Sequence, residues 1–248
     1  MYSFSSTVRY SECDEDGTAT LPALINYMQD CSTFQSQALG VGIDSLRERH
    51  LAWLLAAWEI EVLRQPRFCD RITVSTWATS MASIQARRNF TVADEATGET
   101  LVRADSLWFT FDTQARKVIR IPEAEHVYME GDQPLDMPPL ERRLAAKGPF
   151  REATVLEVGE QHLDTNHHMN NAQYVQVALS ALRELAIEPT LRRVCVQYRQ
   201  MALLGDTMVP RVHEDGDIVT VDLVRPKGET FAVVRFDDPT AAGDGEAR

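Results

Sequence analysis

The chain has 248 residues, enough for one large domain or two small ones that bury a core without staples. Its formal charge of −12 argues against general nucleic-acid binding, which needs a basic surface to displace counterions from phosphate. Four scattered cysteines, Cys13, Cys31, Cys69 and Cys195, show no short ligand spacing, so neither a disulfide framework nor a zinc site is expected.

The N-terminus lacks a charged-then-apolar leader pattern, and no apolar run approaches the ~20 residues that cross a bilayer. A cytoplasmic protein with no membrane span is the expectation. Residues 2–10 read as a strand, followed by the polar turn Asp14-Glu15-Asp16-Gly17. Leu24, Ile25, Met28, Cys31 and Phe34 then recur at helical spacing over about 21–39, with Gly40 as a stop. Strands are predicted at 51–64, 71–80, 83–94 and 100–112 from their β-branched and aromatic content, with a hairpin turn at Asp94–Gly98. Residues 113–149 are rich in proline and charge and read as a strap or flexible linker.

The same plan then restarts: a strand near 152–158, a polar turn at 160–170, a helix over about 171–185, and strands at 191–201, 206–213, 217–225 and 230–237. Laid over one another, the two turns match Asp14 with Asp164, Asp16 with Asn166, and Thr18 with His168. Asp70 and Asp206 occupy comparable places further on. The predicted organisation is an N-terminal repeat over 1–115, a linker over 116–149, a C-terminal repeat over 150–240 and a disordered tail over 241–248. The fold class is α+β, each repeat a helix wrapped by a curved antiparallel sheet.

The segment Leu163 to Tyr174 is where chemistry concentrates, with two histidines and four Asn or Asp residues within eight positions. Such residues also cap helices and stabilise turns, which alone would account for Asp164, Asn170 and Asn171 but not for Asn166 or the paired His167 and His168. Histidine moves protons near neutrality, Asp orients a histidine or a water, and a helix start offers N–H donors to an oxyanion. His167 is expected to be loop. His50, His126, His162 and His213 stand alone and are expected at the surface.

D-x-N-x-H-x-N-N followed by Tyr, here Asp164, Asn166, His168, Asn170, Asn171 and Tyr174, resembles the signature of acyl-acyl-carrier-protein thioesterases. Trp58–Val62, Pro66 and Asp70, Thr76-Trp77, Arg87-Arg88, Thr97–Glu99, Ala104–Trp108 and Ile121–Glu123 resemble the family in order and spacing. The resemblance implies a tandem hotdog fold. The N-terminal repeat would hold the acyl chain and the C-terminal one would hydrolyse its thioester. It carries functional roles onto Asp164, Asn166 and His168. The family's further acid and cysteine fall on Gln200 and Met201. A cysteine nucleophile therefore has no counterpart at Met201, and Gln200 can position a water but cannot act as a base.

Asn170 and Asn171 are expected to bind substrate through the helix start, and Leu24, Met28, Phe34, Trp53 and Trp58 to line an acyl pocket, although ordinary core is the simpler reading of each. Carrier protein is acidic, so Arg64, Arg67, Arg71, Arg87, Arg88, Arg192, Arg193 and Arg199 are candidates for docking it. No cofactor or metal is implied, and further pairing of sheet edges leaves room for a homodimer. An acyl-CoA thioesterase of the same fold and a non-catalytic acyl-binding protein are the alternatives, the latter kept open by Gln200.

Overall fold

The computed structural model describes residues 1–238 and divides into two compact units. The first comprises Met1–Trp58 and Val62–Leu140; the second comprises Glu59–Glu61 and the chain from Glu141 onward. The expected tail, 241–248, lies outside the described residues, as do the last two positions of the expected C-terminal repeat.

In the first unit, β1 (Tyr2–Thr7) leads into α1 (Leu21–Ala38), a short α2 (Ile43–Glu48), and strands β2 (Leu51–Val62, apart from its Glu59–Glu61), β3 (Arg71–Ala82), β4 (Gln85–Asp94) and β5 (Thr100–Asp112). The strands run in the order β1-β3-β4-β5-β2, and the pairs from β1 to β5 are antiparallel. Helix α1 starts where Thr20 Oγ1 accepts the Ala23 amide at 3.3 Å, with Pro22 in its first turn. It ends before Gly40, whose φ of +74° suits glycine. Its buried stripe includes Leu24, Met28, Cys31 and Gln35, packed toward β1, β3 and β4. Phe34, expected inside, is exposed and rests edge-on against Phe4 instead, because the stripe passes through the next residue.

The second unit has β7 (Arg151–Glu152), β8 (Leu156–Glu157), α3 (Asn171–Glu184), β9 (Arg193–Tyr198), β10 (Thr207–Asp215), β11 (Ile218–Val224) and β12 (Thr230–Asp237). Strand order is β9-β12-β11-β10-β7, with β8 also on β10 and all these pairs antiparallel. Helix α3 packs on β10, β11 and β12 through Tyr174, Val175, Ala178, Ala181 and Leu182. Each unit is thus a long helix laid on an antiparallel sheet, which buries one apolar face of each layer.

The proline-rich stretch is a structured strap. Its first part belongs to the first unit. Strand β6 (Lys117–Ile119) joins β5, and a 3-10 turn at Glu123–Tyr128 buries Glu125 and Tyr128. Trp53 Nε1 donates to Glu125 Oε2 at 2.9 Å, and Leu135 N donates to Asn89 Oδ1 at 2.8 Å. The part after Leu140 belongs to the second unit, where Leu144 is buried with Cys195 and Val233.

Strand direction overturns part of the docking set. Arg88 and Arg193 point inward, Arg88 with 7% of its surface exposed. Arg193 binds Glu59, which is 1% exposed, and lies 3.6 Å from Asp237. Asp237 also faces Arg235 at 3.1 Å. The expected surface histidine His213 is likewise buried, on β10, its Nδ1 3.2 Å from the Gly148 carbonyl. Alternation along a strand sends neighbouring residues to opposite faces, so polar type alone does not place them.

Removing one partner of a buried ion pair strands the other charge. Arg193→Met is expected to cost about 3–5 kcal/mol in urea unfolding, and Glu59→Leu with Arg193→Met to recover most of it. Equal losses in the single and double variants would refute this.

Candidate active site

The turn before α3 is built from backbone bonds gathered by one side chain. Asp164 Oδ1 accepts the amides of Asn166 at 2.8 Å and His168 at 3.4 Å. Asp164 N donates to the His168 carbonyl at 2.8 Å, and His167 N to the Asp164 carbonyl at 3.0 Å. This brings Leu163 and Met169 into a β-bridge. His167 has a φ of +61°, is exposed and shapes the turn. His168 and Asp164 are half-buried, while Asn166 is exposed.

The first unit repeats this construction bond for bond. Asp14 Oδ1 accepts the amides of Asp16 at 3.0 Å and Thr18 at 2.9 Å, and Asp14 N donates to the Thr18 carbonyl at 2.9 Å. Gly17, with a φ of +73°, holds the place of His167. Upstream, the Arg9 amide donates to Glu12 Oε2 at 2.8 Å, and the Gly159 amide to His162 Nδ1 at 3.0 Å. His162, expected as a surface residue without a role, is therefore half-buried and braces its turn.

Asn170 caps α3. Its Oδ1 accepts the Ala172 amide at 2.8 Å and its carbonyl accepts the Gln173 amide at 2.9 Å. Two helix-start donors expected to serve substrate are therefore occupied by Asn170 itself.

Gln200 lies just past β9, exposed, in a segment fastened to the start of α3 on both sides. Tyr198 Oη donates to the Asn171 carbonyl at 3.0 Å. Ala202 N donates to Tyr174 Oη at 2.9 Å, and Ala202 in turn accepts the Met169 amide at 2.9 Å. The two tyrosine rings meet edge to face at 5.4 Å. Burial pushes the Tyr174 phenol up to about 12 and Tyr198 well above its ordinary value. Asp164 adds to the Tyr174 shift through its charge, so the carboxylate and this anchor share one electrostatic neighbourhood. Beyond, Leu203 N donates to Asp206 Oδ2 at 2.9 Å, as Arg67 N does to Asp70 Oδ2 at 2.8 Å. The sequence placed Tyr174 in the motif without assigning it a role and did not single out Tyr198; a buried hydroxyl needing a partner is the signal that could have found their anchoring role.

The two buried cysteines are poorly suited to act as nucleophiles. Burial pushes the Cys31 and Cys195 thiols up to about 12, so neither is a thiolate near neutrality. Among the described residues, no group of three His, Cys, Asp or Glu side chains is placed to hold a metal.

Of the expected acyl-lining residues, Leu24, Met28 and Trp58 are fully buried in the first unit and Trp53 is partly buried. Of the arginines that remain outward, several are already engaged: Arg64 with Glu99, Arg71 with Glu95, Arg87 with Asp105, and Arg199 with the Leu144 carbonyl. Arg67 donates to the Asp16 carbonyl at 3.2 Å, and Arg192 lies 3.7 Å from Asp238.

A family model of the acyl-ACP thioesterase N-terminal domain matches residues 1–127, and one of the acyl-ACP thioesterase C-terminal domain matches residues 151–236. The chain belongs to the acyl-ACP thioesterase family. Oleoyl-acyl carrier protein thioesterase 1, chloroplastic, of Arabidopsis thaliana is 26% identical over 224 residues, covering 84% of this chain and 62% of that protein. This family member thus spans less than two thirds of that curated relative's length. An acyl-ACP thioesterase structure from Bacteroides thetaiotaomicron superposes with a TM-score of 0.81 at 21% identity, covering 95% of this chain and 96% of the other. The 12:0-ACP thioesterase from Umbellularia californica gives 0.79 at 20% identity, covering 95% and 96%. Both likenesses show the shared hotdog fold. No helix among the described residues of this acyl-ACP thioesterase family chain is long and apolar enough to cross a membrane.

A non-glycine residue in the left-handed region carries a strain of roughly 1–2 kcal/mol. His167→Gly is therefore expected to fold with equal or greater stability and to leave the turn intact, while His167→Val lowers stability. Thermal unfolding of the two variants checks this, and a destabilised His167→Gly protein would overturn it.

Proposed function

We propose that this chain hydrolyses fatty acyl thioesters carried on acyl carrier protein, releasing free fatty acid and the carrier thiol. Family membership supports the reaction class, and one observation supports the site. The two pre-helix turns have the same backbone and the same carboxylate brace, yet only the second presents an imidazole, His168 where the first has Thr18. In this reading the chain is a tandem hotdog protein. Its first repeat takes the acyl chain along Leu24, Met28, Trp53 and Trp58, and its second carries out hydrolysis.

His168 accepts a proton from water as the water attacks the thioester carbonyl. The C–S bond then breaks and the proton passes to the leaving thiolate. Asn166 and Gln200 hold the water or the imidazole through their amides. Asp164 already receives two backbone amides on one oxygen, which favours water over this carboxylate as nucleophile. The absence of a base at Gln200 leaves His168 as the group that moves protons.

General acid–base help is typically worth ~10²–10⁴ in rate. His168→Ala is expected to lower kcat on palmitoyl-carrier by about that factor with the fold retained. Asp164→Asn keeps an acceptor for the turn and removes only the charge. A loss of similar size would assign the charge to chemistry, whereas near-normal turnover would make Asp164 a brace. Full activity in His168→Ala would sink the site assignment.

Arg67 and Arg192 keep exposed guanidinium groups and are the docking residues we favour for the acidic carrier. Arg67→Glu with Arg192→Glu is expected to raise KM several-fold for acyl-carrier and little for acyl-CoA, with the difference shrinking at high salt. Equal changes on both substrates would remove the docking role.

A further inference from the structure

The interior of the first unit holds a cation without a counter-charge. Arg88, on β4, donates through Nη1 to Gln35 Oε1 and to Thr76 Oγ1, the latter at 3.1 Å, and its guanidinium lies 4.9 Å from the centre of the Tyr128 ring. No carboxylate among the described residues forms an ion pair with it, and Glu130, whose charge reaches it, is exposed. Burial holds its pKa down, to about 10. Other inward-facing cations are treated differently: Arg193 has Glu59, and Arg235 has Glu141 and Asp237. A guanidinium that surrenders its hydration for neutral acceptors alone is costly unless something else supplies an oxygen.

Two further donors in the same interior lack acceptors. Gln35, 1% exposed, spends its Oε1 on Arg88 and leaves Nε2 buried and unpartnered. Trp58, also 1% exposed, has a buried Nε1 with no partner. Its ring packs on Phe90 at 5.0 Å, and Phe90 shares a face of β4 with Arg88, two residues away. Leu24, Met28, Cys31 and Gln35 follow one another at helical spacing on the buried face of α1. An apolar stripe therefore ends at a cluster that is rich in donors and short of acceptors.

We propose that this interior receives an acyl chain bearing an acceptor oxygen remote from its thioester, the oxygen being taken by Gln35, Trp58 and Arg88. The substrate class is then hydroxy-, oxo- or terminally carboxylated acyl thioesters rather than plain saturated ones. The inference rests on the acyl-thioester reading above. A single buried water would satisfy the same donors without any preference among chains, and the experiment separates the two.

The test compares kcat/KM for palmitoyl-carrier with its hydroxy, oxo and terminal-carboxylate derivatives, the oxygen placed from mid-chain to chain end. Thermal shifts with the corresponding free acids are measured alongside. At least one oxygenated chain is expected to exceed the plain chain about tenfold and to give the larger shift. Gln35→Glu supplies Arg88 with an internal carboxylate; it is expected to raise Tm and to erase both preferences. A plain chain equal to or better than every derivative, or a ratio unchanged by Gln35→Glu, would overturn the proposal in favour of buried water. No hydrolysis of any thioester would instead defeat the proposed function, while the thermal shifts still decide whether the oxygen site exists.

Discussion

Each pre-helix turn depends on one carboxylate oxygen that gathers two backbone amides, Asp14 in the first unit and Asp164 in the second. A second aspartate, Asp70 or Asp206, braces the turn that leads into the later strand. An equivalent amide joins the two turns in each unit: Ala19 N to the Pro66 carbonyl, and Met169 N to the Ala202 carbonyl. Apart from these aspartates, the turn's shape is held by backbone bonds that are common to both units. Thr18 can become His168, and Gly17 can become His167, with the same set of backbone bonds retained. Such a scaffold lets chemistry change at one turn without changing the fold.

The same economy places Gln200. Its neighbours rather than its own side chain carry the fastening, through Tyr198 to Asn171 and through Ala202 to Tyr174 and Met169. An exposed amide on a rigid backbone can orient a water while contributing little to stability. Inside the units, charge is handled in two ways. The second unit surrounds its inward arginines with Glu59, Glu141 and Asp237, whereas the first gives Arg88 only neutral acceptors and an aromatic face. Each unit leaves a buried donor without a hydrogen-bond partner, Arg235 Nε in the second and Gln35 Nε2 in the first, but only the first leaves its guanidinium without a carboxylate.

Much of this was legible from local signals. Helix bounds came within a residue or two because Thr20, Asn170 and Gly40 are terminal residues acting over one turn. The hairpin at Asp94–Gly98 carries its own instruction, since Asp94 Oδ1 accepts the Ala96 and Thr97 amides and Gly98 takes a φ of +73°. The matched turns at 14–18 and 164–168 could be aligned by residue type alone. The short helix α2 and the 3-10 turn at Glu123–Tyr128 were not found, because neither carries a strong period or cap.

What the sequence by itself determined is the order of elements, the polar turn before each long helix, and the residues that could do chemistry there. These depend on interactions within a few positions of the chain. Tertiary structure alone decided which arginines face water, that Gln35 rather than Phe34 is buried, and where the strap divides. It also decided that Asp164 spends an oxygen on its own turn. Those outcomes depend on strand register, helix rotation and partners dozens of residues away, so identical local sequence is compatible with either face.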